Sequence, residues 1–261
     1  MPMKAVGGGI GGLIVLILAV VLGGDPGTIL NDSTLGGSSF NTASVSEEDR
    51  ELADFVSVVL ADTEDTWTEI FAANNMDYRE PTLVLFSGAV ESACGFAQSA
   101  VGPFYCPADE KMYIDLSFYR DLRERFGAPG DFAQAYVIAH EVGHHVQNQL
   151  GIMDQVRRAQ AGLDQVEANR VSVMQELQAD CFAGVWAYSA EQAGILEQGD
   201  VEEALNAASS IGDDRLQMES QGRVSPDSFT HGSSAQRVSW FNTGLENGDV
   251  ASCDTFEAMN Q

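Results

Sequence analysis

The run His140-Glu141-Val142-Gly143-His144 sets two imidazoles four residues apart, with a carboxylate beside the first. On an α-helix such positions share a face about 6 Å apart. Both rings can then reach one metal ion at zinc–nitrogen distances of about 2.0–2.1 Å. Glu141 lies one residue round from the first ring, so it reaches a water at that ion without ligating the ion and can take its proton. His145 is turned roughly 100° from His144 and is expected behind the ligands or at the surface.

Two histidines do not close a catalytic site; a third protein ligand is required. The longer form of the motif would place glycine and histidine where this chain has Gln147 and Leu150. That leaves His231, the remaining histidine, or a carboxylate on a following helix. MQELQADCFAGVW, residues 174–186, supplies Glu176 and Asp180, again four apart. Glu176 is the expected third ligand, and Asp180 the acceptor for the free ring N–H of one ligand histidine, fixing its tautomer. An isolated pair of this kind in an acidic chain would be a solvated face. Here it stands in an otherwise apolar helix downstream of the histidines, where Ala179, Ala183 and Gly184 would let that helix approach the first near Gly143.

The elements that must hold these residues follow from pattern. Ser46 and Asp49 open a helix whose apolar positions Leu52, Phe55, Val56, Val59 and Leu60 have helical spacing. Residues 81–95 suggest a strand running into a turn, and 104–118 a hairpin whose second arm is MYIDLSF. A short helix, RDLRERFG, ends at Gly127. Asp131 is the candidate N-cap of the histidine helix, residues 132–150, which Gly151 terminates. Residues 154–192 are predicted helical for most of their length, and 201–212 form a last helical piece before a polar loop.

Bulk properties bound the setting. A chain of 261 residues, 44% hydrophobic and 20% charged, buries a proper core. A net charge of −26 repels phosphates, so nucleic acid is excluded as a partner. Residues 5–24 carry no charge and are long enough to cross the ~30 Å hydrocarbon layer. Lys4 before the run and Asp25, Asp32, Glu47, Glu48 and Asp49 after it place the N-terminus inside and the rest outside. The expected organisation is a single-pass membrane anchor over 1–24, a flexible linker over 25–45 and one extracytoplasmic domain over 46–261. The rival for the first segment is a cleaved signal peptide, against which stand the length of the run and the lack of a clear small-x-small cleavage site in VVLGGDPG. Gly7, Gly8, Gly11 and Gly12 form overlapping GxxxG pairs, which suit an anchor-mediated dimer or plain low-complexity composition.

AHEVGHHVQNQLG, ELQADCFAGVWA and HGSSAQRVSWFNTGLENGD, in that order, closely resemble the putative neutral zinc metallopeptidase family, bacterial proteins with one N-terminal membrane helix. The likeness covers about residues 80–260 and the anchor. More broadly it resembles the glutamate-zincins. What this implies is an α+β, zincin-like metalloprotease domain, mainly helical with a small antiparallel sheet, preceded by one transmembrane helix. It implies one zinc per chain on His140, His144 and Glu176, Glu141 as base, Asp180 orienting a ligand, and a sheet edge that aligns a peptide or protein substrate. In related zincins a C-terminal histidine or arginine donates to the oxyanion, a role open here to His231 or Arg237. Arg237 could equally anchor Asp180 or another carboxylate. MYIDLSF is the candidate substrate-aligning edge.

The four cysteines suit two disulfides outside the cytoplasm. Cys94 and Cys106 bracket one turn, and Cys181 would then pair with Cys253; zinc ligation by Cys181 is the less favoured use, since it lies off the Glu176 face. The function expected is a membrane-anchored zinc endopeptidase. The alternative is a catalytically silent, envelope-tethered binding or assembly module that keeps the fold, against which the presence of Glu141 argues. A purely structural metal site would favour cysteines and four protein ligands.

Overall fold

A computed structural model describes residues 46–98 and 102–258. The expected anchor and linker, residues 1–45, lie outside the described residues, and among those described no helix is long and apolar enough to cross a membrane. The chain divides into residues 1–55 and 56–261. Of the first unit only the opening of helix α1 (Glu47–Ala73) is described, where Ser46 Oγ accepts the Asp49 N–H at 3.0 Å. The rest of α1 and all later elements belong to the second unit.

Five strands come next: β1 (Thr82–Phe86), β2 (Ala89–Ser92), β3 (Gly95–Gln98), β4 (Phe104–Cys106) and β5 (Lys111–Asp115). β2 and β3 form a separate antiparallel hairpin. The other three make one sheet in the order β1-β5-β4, with β5 parallel to β1 and antiparallel to β4. The expected wholly antiparallel sheet is therefore a mixed one. MYIDLSF is also not an edge: β5 is the central strand, buried from Met112 to Asp115, and its run of Met, Tyr and Ile fits a strand covered on both sides.

Helix α2 (Ser117–Glu124) leads through Gly127 to α3 (Asp131–Gln149). Asp131 is the first helical residue rather than the cap; Gly130 stands at the cap, and the Phe132 N–H is shared between Asp131 at 2.9 Å and Glu203 at 3.1 Å. The predicted helix over 154–192 is two: α4 (Ile152–Gln160) and α5 (Gln165–Gln192). The break falls at Gly162, whose φ of +92° a side chain rarely adopts, and α5 restarts with the Asp164 carboxylate accepting the Glu167 N–H. After α6 (Asp200–Ser210) the expected polar loop contains a further helix, α7 (Asp213–Gln221). Then come α8 (Ser234–Asn247), the 3-10 turn Val250–Cys253 and α9 (Thr255–Ala258).

The core is built on α3 and α5, both buried around their circumference where they cross, polar side chains included. The crossing uses Gly143: a Cβ there would lie 2.9 Å from the Ala179 carbonyl oxygen. Gly184, expected at the same contact, instead faces α8, where a Cβ would fall 2.0 Å from the Phe241 carbonyl oxygen. Gly244 on α8 returns the contact against Cys181. Disulfides join Cys94 to Cys106, tying the β2–β3 turn to β4, and Cys181 to Cys253, tying α5 to the C-terminal turn.

Candidate metal centre

Helices α3 and α5 bring His140, His144 and Glu176 together, with one ligand atom from each within 4.8 Å of the others. His140 Nε2 lies 3.2 Å from Glu176 Oε2, and His144 Nε2 lies 3.4 Å from Glu176 Oε1. A tetrahedral zinc site with ligands at about 2.0–2.1 Å has edges of about 3.3 Å, so the spacing fits an ion at the centre of this face. The other ring nitrogens point away from it. His140 Nδ1 is 2.8 Å from Asp180 Oδ1, and His144 Nδ1 is 2.9 Å from Gln147 Oε1. Gln147 is fixed in turn, donating to the Gln175 carbonyl and to Gln178 Oε1, while Gln178 donates to the Cys253 carbonyl. Each Nε2 is thereby aimed at one point by a partner behind its ring.

Asp180 is held on every side. It is fully buried and takes Arg237 Nε at Oδ2 and Nη2 at Oδ1, both at 2.8 Å, and the Tyr136 hydroxyl donates to it as well. Burial would raise its pKa, but the Arg237 and His140 charges bring it down to about 2. Burial likewise opposes charge on His140, yet Asp180 and Glu176 lift it to about 10. His144 is raised in the same direction despite burial, through Glu176. Burial pushes Glu176 up as well, but the two histidines hold it well below the carboxylate range. Both shifts favour the protonated rings in the absence of a cation, and a metal ion bound here would displace those protons.

The cluster opens onto a cleft of about 510 Å³, lined also by Glu141, His231 and Arg237. Glu141 is buried on α3 and makes no hydrogen bond to a described residue. His231, half-exposed, stands 3.3 Å from Asp213 Oδ1 through Nδ1. Asp213 also accepts the backbone N–H groups of Thr230, His231 and Gly232 at 2.7, 2.7 and 3.1 Å, so one carboxylate shapes the loop that presents the ring. The Asp213 bond raises the His231 pKa, burial opposing it.

His145 is neither at the surface nor behind a ligand. It is fully buried, bonds the Arg79 carbonyl through Nε2 and the Tyr105 hydroxyl through Nδ1, and so ties the segment before β1 and strand β4 to α3. Cys181 is bonded to Cys253 and is no ligand. Three contributors escape sequence reasoning: Tyr136, Gln147 and Asp213. Nothing local marks Asp213 or the bond from Tyr136 to Asp180, whereas Gln147 stands three residues after His144, a helical spacing that could have marked it. Helix α8, which carries Arg237, does have a sequence mark, the S-x-x-Q capping box of Ser233 and Gln236. A second carboxylate group, Asp131, Asp200 and Glu203, sits at the start of α3, where Glu203 caps the helix.

Comparison with known proteins agrees with this geometry. The chain is 56% identical over 250 residues to the uncharacterized protein YpfJ of Escherichia coli K12, covering 95% of this chain and 87% of that one. It is 42% identical over 257 residues to the uncharacterized protein Mb2605 of Mycobacterium bovis, covering 93% and 86%. No solved structure matches. A family model described as "Putative neutral zinc metallopeptidase" matches residues 2–256. The match spans nearly the whole chain, and His140, Glu141, His144 and Glu176 stand in one cleft: the chain belongs to that family.

Proposed function

We propose that the chain is a zinc-dependent endopeptidase, held at the cell membrane by its N-terminal segment with the domain outside. The observation that carries the reaction is the convergence of His140, His144 and Glu176 at the mouth of a cleft in which the Glu141 carboxylate has no hydrogen-bond partner among the described residues. The three ligands would hold one zinc ion, a Lewis acid that acidifies water and polarises a carbonyl. Glu141 takes the proton of the attacking water and passes it to the leaving amine. His231, raised toward its protonated form by Asp213, donates to the oxyanion as the tetrahedral carbon forms. Arg237 holds Asp180, which sets the His140 tautomer. Strand β4 is a sheet edge that lines the cleft, so an extended peptide would add alongside it. Location is supported by the uncharged run 5–24 and by two disulfides, which suit an oxidising compartment.

The test is zinc content of the full chain beside cleavage of a denatured protein mixture. Wild type is expected to hold one zinc and cleave. Glu176→Ala is expected to lose the zinc, and Glu141→Gln to keep it without cleaving. Full zinc in Glu176→Ala would remove Glu176 as ligand. Zinc without cleavage in wild type would favour a tethered binding module.

A further inference from the structure

Away from the metal cluster, the cleft is walled by three half-buried rings, Phe104, Phe118 and Phe126. Phe118 and Phe126 lie with centroids 6.3 Å apart, and Phe104 stacks on Tyr113 at 4.8 Å. Phe118 also packs beneath the Gly102 backbone, where an added Cβ would stand 3.4 Å from the ring. Aromatic surface gathered in one recess and left in contact with water marks a place where an apolar group settles.

Arg125 borders the same recess with its guanidinium 4.9 Å over the Phe126 ring. It makes no ion pair with a described residue; Asp121 lines the cleft too, but no salt bridge joins the two. The cleft's other arginine, Arg237, is fully engaged by Asp180. In a chain with 39 acidic and 13 basic residues, the segment 120–125 holds three arginines against Asp121 and Glu124; Arg123 is paired with Glu124, which leaves Arg125 as the cation facing the cleft. The overall negative field repels acidic peptides, so acceptance of a carboxylate depends on a local cation. An arginine resting on a ring is already oriented for a charge-assisted pair.

We propose that this wall is a specificity subsite for peptides in which a large apolar side chain neighbours a carboxylate. The apolar group enters the Phe104–Phe118–Phe126 recess and the carboxylate meets Arg125. This rests on the reading of the cleft as a peptide site.

The test uses the zinc-loaded full chain carrying Glu141→Gln, so that binding is read without turnover. Fluorescence anisotropy compares dansyl-labelled glycine heptapeptides with a central Phe and Glu in either order, with Glu replaced by Lys, or with Phe replaced by Ala. The Phe/Glu probe is expected to bind about tenfold tighter than the Lys probe and about tenfold tighter than the Ala probe. Arg125→Gln flattens the Glu-over-Lys ratio and Arg125→Glu inverts it. Phe118→Ala removes the Phe-over-Ala ratio. Arg158→Glu, an exposed site outside the cleft with the same change in net charge as Arg125→Glu, keeps both ratios. An unchanged Glu-over-Lys ratio in Arg125→Glu, an equal change in Arg158→Glu, or no binding of any probe would overturn the subsite. Preferences intact beside a wild type that cleaves nothing would uphold the subsite and remove the endopeptidase reading instead.

Discussion

The two walls of the cleft are built on different physics. On the helical wall, α3 and α5 bury their polar atoms and engage them in a continuous network from Arg237 through Asp180 and His140 to Glu176. On the sheet wall, β4, α2 and the two residues after α2 present half-buried rings and an arginine with no carboxylate partner among the described residues. Aiming two rings at one ion needs positions fixed to a few tenths of an ångström, which close packing and filled hydrogen bonds supply. Accommodating varied side chains needs a surface that yields, which aromatic packing at a solvent boundary supplies. Each wall has one disulfide, so covalent closure does not distinguish them.

The sharpest way to break this contrast is to remove one arginine from each wall. Arg237→Ala leaves the Asp180 carboxylate buried beside His140 with its main cation gone. The expected cost is about 3–5 kcal/mol in urea unfolding, with loss of zinc. Arg125→Ala touches no buried partner and should stay within about 0.5 kcal/mol. Equal costs would mean that the two walls are held alike.

The disulfides give the next comparison. Cys181 and Cys253 are 72 residues apart, Cys94 and Cys106 only 12. Replacing both cysteines of a pair by alanine should cost about 4 kcal/mol for the first and about 3 kcal/mol for the second, from loop closure in the unfolded chain. The first also frees the turn whose Cys253 carbonyl accepts from Gln178, so zinc affinity should fall there and hold in the second. Denaturant melts with parallel zinc titration check both.

Glycine substitutions probe the helical wall alone. A Cβ on Gly244 would stand 2.0 Å from the Cys181 carbonyl oxygen, so Gly244→Ala must part α5 from α8, at about 3 kcal/mol. Sequence showed that small residues let α5 approach a neighbour, but not which one. Gly143 and Ala179 meet as expected, whereas Gly184 belongs to α8. The same limit recurs across the molecule. His140, Glu141, His144, Glu176 and Asp180 are legible because a helix converts a spacing of four into a shared face. Asp213 and Tyr136 act across long sequence separations with no spacing rule to reveal them, whereas Gln147 meets His144 at a spacing of three on one helix. The place of β5 just upstream of the histidine helix suggests an edge, whereas its apolar run records burial; the order of pairing is written in no strand by itself. Arg237 stood open between two roles until α8 set it against Asp180.

The smallest effect sits where the two walls join. His145 bonds Tyr105 of β4, and Tyr78 packs edge-on against it at 5.6 Å. Beside Tyr78, burial and the charges of Glu80 and Asp65 raise Glu64 from its ordinary 4.5 to about 7. A carboxyl whose folded pKa is raised is favoured in the fold when neutral. Stability from this group is therefore present below pH 4.5, declines as pH rises from 4.5 to about 7, and is constant above. With about half of the group solvated, screening reduces the effect to about 1 kcal/mol. Glu64→Gln should be about 1 kcal/mol more stable than wild type at pH 8 and level with it near pH 4.5, measured by urea unfolding at a series of pH values. The opposite slope would mean that an ionised acceptor, rather than burial of a neutral side chain, holds the junction, and the sheet wall would then share the charged character assigned here to the helical one.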